Sequence, residues 1–326
     1  MRIIQETNID FIRQRKVSFI LSAFVILAGI ISLVINGGPK LSIDFKGGTL
    51  VSVQYTEDMD ITTVRTAMGN VNIDGQSFDF SREEIKHFGG PSAVLIRVPH
   101  IEGTPQNFSQ RIVDHLYSAF PEKVPESKTD FILGKGTVSP KIGSELSGKA
   151  VMAIISALGL ILLYISIRFE FIFALGAIAA LVHDVLITLG LFSLLGYEIS
   201  LPIIAAFLTI VGYSLNDTVV VFDRVRENLR KYKKTLLKDL LNMSINETLS
   251  RTVMTSLTTL IALISLFILG GDVIHGFVFA MIWGVIIGTY SSVFVASSIL
   301  LRLGVKRDWD KTNDGKAGTQ FAGIDA

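Results

Sequence analysis

Six stretches of this chain are each apolar over about the 20 residues that a helix needs to cross a bilayer. They are Val17–Ile35, Ala150–Ile167, Phe171–Leu195, Leu201–Phe222, Val253–Leu269 and Phe277–Leu301. Lipid offers no hydrogen bonds to bare backbone, so such stretches fold as helices that bundle together. The fifth is the shortest, and its helix is expected to begin earlier, near Arg251. Arg13, Arg15 and Lys16 precede the first block. That block is too long for a signal h-region and no A-x-A pattern follows, so it reads as an uncleaved span.

Composition agrees. Of 326 residues, 49% are hydrophobic and only 18% charged, less charge than a soluble domain carries. The mean hydropathy is +0.52. A formal net charge of +1 gives no electrostatic case for nucleic acid. Cysteine is absent, which excludes disulfides, thiol chemistry and cysteine-based metal sites. The five histidines (His87, His100, His115, His183, His275) are scattered without metal-ligand spacing. Neither a metal nor another cofactor is expected.

Lys and Arg placement sets an expected orientation. Basic residues gather in the N-terminal tail (1–16), in the segment 223–251 between spans four and five, and in the tail from 304 onward. The alternate loops Gly196–Ser200 and Gly270–Gly276 carry no Lys or Arg. Six spans put every basic cluster on one side. Both termini are therefore expected in the cytoplasm, and Asn36–Lys149 outside it. Residues after Lys311 read as a polar, Gly-rich tail.

Seven of the eight prolines fall between Pro39 and Pro140, as suits a folded domain in that loop. The expected elements are a strand at Thr49–Tyr55, a helix at Ile61–Gly69, and strands at Gln76–Phe80 and Ala93–Val98. A helix over Pro105–Phe120 with Thr104 as N-cap follows, then a strand at Thr129–Leu133. The order β-α-β-β-α-β is the ferredoxin-like pattern. The fold class is thus a polytopic α-helical membrane protein, with an α+β domain between helices one and two. Phe108, Tyr117 and Phe120 read as core, and Gly47-Gly48 as a turn feeding the first strand. No nucleophile–base pair is evident, so no enzymatic activity is expected.

Charges interrupt the spans. Asn216 and Asp217 lie in the fourth, where a carboxylate costs ~2.5–3.5 kcal/mol on permissive scales. Tyr213 and Ser214 precede Asp217 by four and three residues, so they are expected to hold its carboxyl or a nearby water. His183 and Asp184 sit in the third span, and Arg251 opens the fifth. The expected device is a proton relay: Asp217 gains and loses a proton, Arg251 is a fixed counter-charge, and Asp184 is a second carrier. The plainer readings put Asp217 in interfacial water, Asp184 in a local cap or pair, and Arg251 as a cytoplasmic anchor. His183 reads as a packing or hydrogen-bonding residue. In the last span Gly276, Ala280, Gly284, Gly288, Ser292 and Ala296 recur every four residues, a face for close helix packing.

Four segments together resemble the SecD/SecF family of bacterial protein-export membrane proteins, on the SecF side of that family. Asp44-Phe45-Lys46-Gly47-Gly48-Thr49 is similar to its D-F-x-G-G-T. Residues 138–146 are similar to V-G-P-x-V-G-x-E-L, with Ser139 in place of the first glycine. Gly212–Glu227 is the longest match, and Leu249–Thr252 with Thr255–Leu260 matches the fifth-span motif. The resemblance implies a member of the resistance–nodulation–division superfamily in the bacterial inner membrane. It implies a SecD partner that supplies six further spans, the SecYEG channel, YajC and an unfolded chain in transit. It also implies use of the proton gradient late in translocation, with the family's intramembrane Asp and Arg falling on Asp217 and Arg251. Three rivals remain: a small-molecule or lipid exporter of the same superfamily, an intramembrane protease using Asp184 and Asp217, and a purely structural subunit.

Overall fold

The computed structural model describes residues 7–73, 75–101 and 107–305. Six helices are long and apolar enough to span a membrane. They are α1 (Arg15–Ile35), which a 3₁₀ turn at Ile12–Gln14 precedes, α6 (Pro140–Arg168), α7 (Phe171–Leu195), α8 (Leu201–Lys231), α9 (Leu237–Leu269) and α10 (Asp272–Ser291). A π turn at Ser292–Ala296 continues α10 into α11 (Ser297–Leu303). The fifth helix starts at Leu237, earlier than its apolar block as expected but 14 residues before the expected Arg251. Its extra turns are amphipathic, with Leu240, Leu241 and Ile245 buried, so an apolar-run criterion passes over them.

The sheet domain occupies the segment between α1 and α6. Its short helices are α2 (Ile43–Lys46), α3 (Ile61–Met68), α4 (Phe108–Ala119) and α5 (Lys128–Phe131). Its strands are β1 (Gly48–Gln54), β2 (Val71–Ile73), β3 (Gln76–Phe78), β4 (Glu84–His87), β5 (Ala93–Pro99) and β6 (Ile132–Val138). The main sheet runs β4-β5-β1-β6 with every pair antiparallel, which is the ferredoxin-like order. Val51 and Val53 of β1 and Val94, Ile96 and Val98 of β5 pack against Val64, Met68, Ile112 and Leu116. Phe108 is buried in the same core, with Tyr117 and Phe120 against it, as the sequence leads one to expect.

Two strands depart from expectation. The segment at Gln76 pairs with β2 in a separate hairpin, and β4 takes its place in the sheet. The polar pattern Glu84-Ile85-Lys86-His87 belongs to an edge strand and buries only Ile85 fully. The last strand begins at Ile132, because Ser127 caps a turn of helix over Lys128–Phe131 where Thr129–Phe131 reads as strand. Gly134 and Gly136 keep β6 from showing an apolar alternation. The expected cap at Thr104 and the tail after Lys311 lie outside the described residues.

Within the bundle, small residues set the closest approaches. Gly276, Gly284 and Gly288 of α10 face Ile203, Ile210 and Ser214 of α8, so the four-residue stripe is a packing face. Gly29 of α1 and Gly190 of α7 meet backbone to backbone: a Cβ on Gly190 would lie 2.8 Å from the Gly29 Cα. By contrast α6 buries little besides Gly143 and Ile165, and its outer surface is left to lipid or a neighbour.

Candidate functional site

The centre of the bundle holds a connected polar network around Asp184, which is 0% exposed. Ser214 of α8 and Ser291 of α10 donate to its Oδ2 at 2.6 and 2.8 Å. His183 Nδ1 lies 2.9 Å from its Oδ1, and His183 Nε2 lies 2.9 Å from Ser22 Oγ of α1. Ser22 in turn meets the Tyr290 hydroxyl at 3.0 Å, which donates to the Ser18 carbonyl. Four helices are therefore fastened through one carboxyl. The π turn begins one residue after Ser291, and such turns concentrate where helix geometry serves a site.

Asp217 stands apart from this network. It is 2% exposed, and its Oδ2 is buried without a hydrogen-bond partner among the described residues. The groups that act on it belong to α9: Ser256 through its hydroxyl and Arg251 through its charge. Arg251 does not close an ion pair with Asp217 among the described residues. It is exposed, and with Asp10, Arg224, Asn242, Asn246 and Glu247 it lines a cleft of about 980 Å³ at the bundle end remote from the sheet domain. Ser256 also meets Thr289 of α10 at 2.6 Å.

The residues expected to support Asp217 do other work. Ser214 donates to Asp184, and Tyr213 donates to Thr259 of α9 at 3.3 Å. Successive helical residues turn by about 100°, so positions 213 and 214 face different neighbours although both share part of the Asp217 face. Asn216 is exposed on the outer side of α8 and does not reach the site. Asp184 and Asp217 have separate partners, unlike a dyad that shares one proton. Sequence reasoning passed over Ser22, Tyr290 and Ser291, and its reading of His183 as a packing or hydrogen-bonding residue did not name the partners. Single hydroxyls in apolar helices are common, and only the fold shows that these converge.

The glycine motif lies at the junction of the two domains. Ser42 caps α2, and Asp44 Oδ2 accepts from the backbone N–H of Leu201, the first residue of α8, at 3.1 Å. Phe45 is buried among Phe192, Ile199, Ile203 and Phe207 of the bundle. Gly47 has φ 79°, and a Cβ there would lie 2.7 Å from the Pro140 nitrogen. A side chain on Gly48 would strike the Val98 carbonyl. Thr49 is buried in β1, paired with Val98. The segment is a turn into the first strand, as expected, and a helix as well.

A charged cluster flanks it. Lys40 pairs with Glu198 at 3.0 Å, while Lys86 and Arg97 hold Glu84 at 2.7 and 3.0 Å. Burial lifts Glu198 above the ordinary glutamate range, and the facing Glu84 carboxylate adds to the lift against the pull of Lys40. Burial also acts on Glu84, but Lys86 and Arg97 outweigh it and hold that carboxyl low. A carboxyl raised on folding contributes stability below its unfolded pKa, which is lost as pH rises through the folded value. Glu198→Gln should therefore raise thermal stability at pH 8 and leave it nearly unchanged at pH 4. Differential scanning of the purified protein at both values checks this, and an equal shift at both would contradict it.

Comparison with known proteins bears directly on these features. The model of the protein export membrane protein SecD/SecF C-terminal family matches residues 123–306, and that of the SecD/SecF GG motif matches residues 31–59. The chain is 44% identical to the protein translocase subunit SecF of Cereibacter sphaeroides, over 99% of this chain and 97% of that one. The chain belongs to the SecD/SecF family. It is also 45% identical to the SecF subunit of Rhodothermus marinus, over 93% of this chain and 96% of that one. The crystal structure of SecDF from Thermus thermophilus, described as a translocon-associated membrane protein, superposes with a TM-score of 0.74 at 36% identity. That likeness covers 91% of this chain but 39% of the SecDF chain. SecD/SecF membership makes the protein a multi-pass membrane component of protein export. It also gives the GG motif, so plain in sequence, a defined place at the domain junction.

Proposed function

We propose that the chain works as the SecF-type subunit of the Sec export machinery and uses the proton gradient to promote late translocation of secreted chains. The observation that carries the proton step is Asp217: a buried carboxyl in a membrane-spanning helix, with one oxygen free of hydrogen bonds among the described residues, facing the Ser256 and Arg251 side of α9. Such groups face protein or water and mark ion and proton pathways. The cleft that Arg251 lines opens at one end of the bundle and brings solvent to the Arg251 side of α9. Asp184 is the second carrier in this reading, and its hydrogen-bonded carboxyl couples α8 to α7 and α10.

The sheet domain lies outside the cytoplasm and both termini within it, in the bacterial inner membrane. The partner is a SecD subunit with six further spans, alongside the SecYEG channel and YajC, acting on an unfolded chain in transit. Exposed polar and small positions on α8, Thr209, Gly212 and Asn216, favour a protein neighbour over lipid there. One charge crossing 100 mV is worth ~2.3 kcal/mol, enough to bias a conformational change and too little for bond chemistry unaided. The test is purification from native membranes with secretion assayed in vesicles, with and without an ionophore. A second six-span subunit should co-purify, and the late phase of export should fall when the gradient collapses. Gradient-independent export by an isolated chain would refute the reading.

A further inference from the structure

We propose that the Asp44–Thr49 segment is a rigid joint that carries displacements of α8 into the sheet domain, with Asp44 its key positioning residue. The inference deepens the proposed function, since α8 is also the helix that bears Asp217, but its geometry stands independently.

Seven contacts define the joint. The Asp44 carboxylate accepts the Leu201 N–H, one of the N-terminal amides that a helix cannot satisfy internally. Anionic oxygen is favoured at that end of a helix as well. The strap beside it is stitched by backbone: Ser42 N–H donates to the Ile199 carbonyl at 2.9 Å, and Ile199 N–H to the Lys40 carbonyl at 2.7 Å. Lys40 and Glu198 add an ion pair. Phe45 plugs into the apolar core formed by α7, α8 and α10. On the other side Gly47 lies against Pro140, and a Cβ on Gly143 would meet the Phe45 carbonyl at 2.5 Å, so the start of α6 is clamped backbone to backbone.

The far end of the same segment is strand β1, which occupies the middle of the sheet between β5 and β6. The path from α8 to the centre of the sheet domain is thus eight residues long, from Leu41 to Gly48. It consists of hydrogen-bonded or close-packed backbone with no slack loop. Packed elements of this kind move as bodies and do not deform smoothly. A helix that shifts at Asp217 takes the sheet domain with it.

The experiment uses the chain assembled with its partner subunits in sealed vesicles, following precursor export and proton flux together. Asp44→Ala should cut gradient-stimulated export several-fold while proton flux persists, because the drive is intact and the linkage is loose. Asp44→Asn, whose amide oxygen still caps a helix, should restore most of the export. A second arm uses the cysteine-free background: Lys40→Cys with Glu198→Cys, oxidised to bridge the strap to the α7–α8 loop. A rigid joint predicts equal export before and after oxidation. Loss of export on oxidation, recovered by reductant, would show that the contact opens during the cycle and would overturn the proposal. So would export and flux lost together in Asp44→Ala with Asp44→Asn no better. Should the unmodified protein show no proton flux at all, the proton reading fails, and the bridged variant still decides the joint.

Discussion

Asp217→Asn should yield a protein that inserts, accumulates and pairs with its partner normally, yet gains nothing from a proton gradient. The substitution keeps volume and hydrogen-bonding capacity and removes only the ability to alternate between charged and neutral. A proton that falls through 100 mV can shift a two-state balance by at most about 50-fold, which is the scale of stimulation at stake. Export in vesicles should drop to the level seen with ionophore, and proton uptake linked to export should disappear. Full stimulation in this variant would remove Asp217 from the mechanism. Thr218, next to Asp217, and Thr252, next to Arg251, are buried without hydrogen-bond partners for their hydroxyls among the described residues, and neither is expected to substitute for it.

The second large effect is expected at Asp184, and it differs in kind. Asp184→Leu removes one partner each from Ser214, Ser291 and His183 at once, leaving Ser291 only the Gly288 carbonyl, and with His183 it loosens Ser22 of α1. Interhelical hydrogen bonds in membranes are worth between about 0.6 and 2 kcal/mol each, so the summed loss is a sizeable part of a bundle's stability. The expected result is lower accumulation and earlier thermal unfolding in detergent, with α1 the first helix to become accessible to labelling. Asp184→Asn keeps an acceptor for the two serines and should recover much of the stability. If Asp184→Leu is as stable as the parent protein, the network is not structural. Stability in Asp184→Asn combined with lost proton flux would identify it as a second carrier.

The sequence shows the helices far more clearly than what they do to one another. A run such as Phe171–Leu195 has one physical solution in lipid, so the span is legible from composition. Asp217 is legible too, since a carboxylate in an apolar helix demands a reason. Its surroundings are not: residues 213 and 214 both lie near its face by spacing, and which neighbour each meets depends on where α7, α9 and α10 pack. The sheet domain shows the same division. The core strands β1 and β5 stand out by their apolar runs, whereas edge strand β4 and glycine-rich β6 carry little pattern. The glycine motif was conspicuous by composition, but a contact between Asp44 and Leu201 spans 157 positions, and nothing local announces it.

That long-range cap has a consequence for how the protein is made. The amide of Leu201 emerges from the ribosome well after Asp44 has left it, and it finds its acceptor only once the intervening domain has taken shape. A chain whose sheet domain misfolds keeps an unsatisfied donor at the head of α8. Completion of the bundle thereby depends on folding of the domain that α1 and α6 flank.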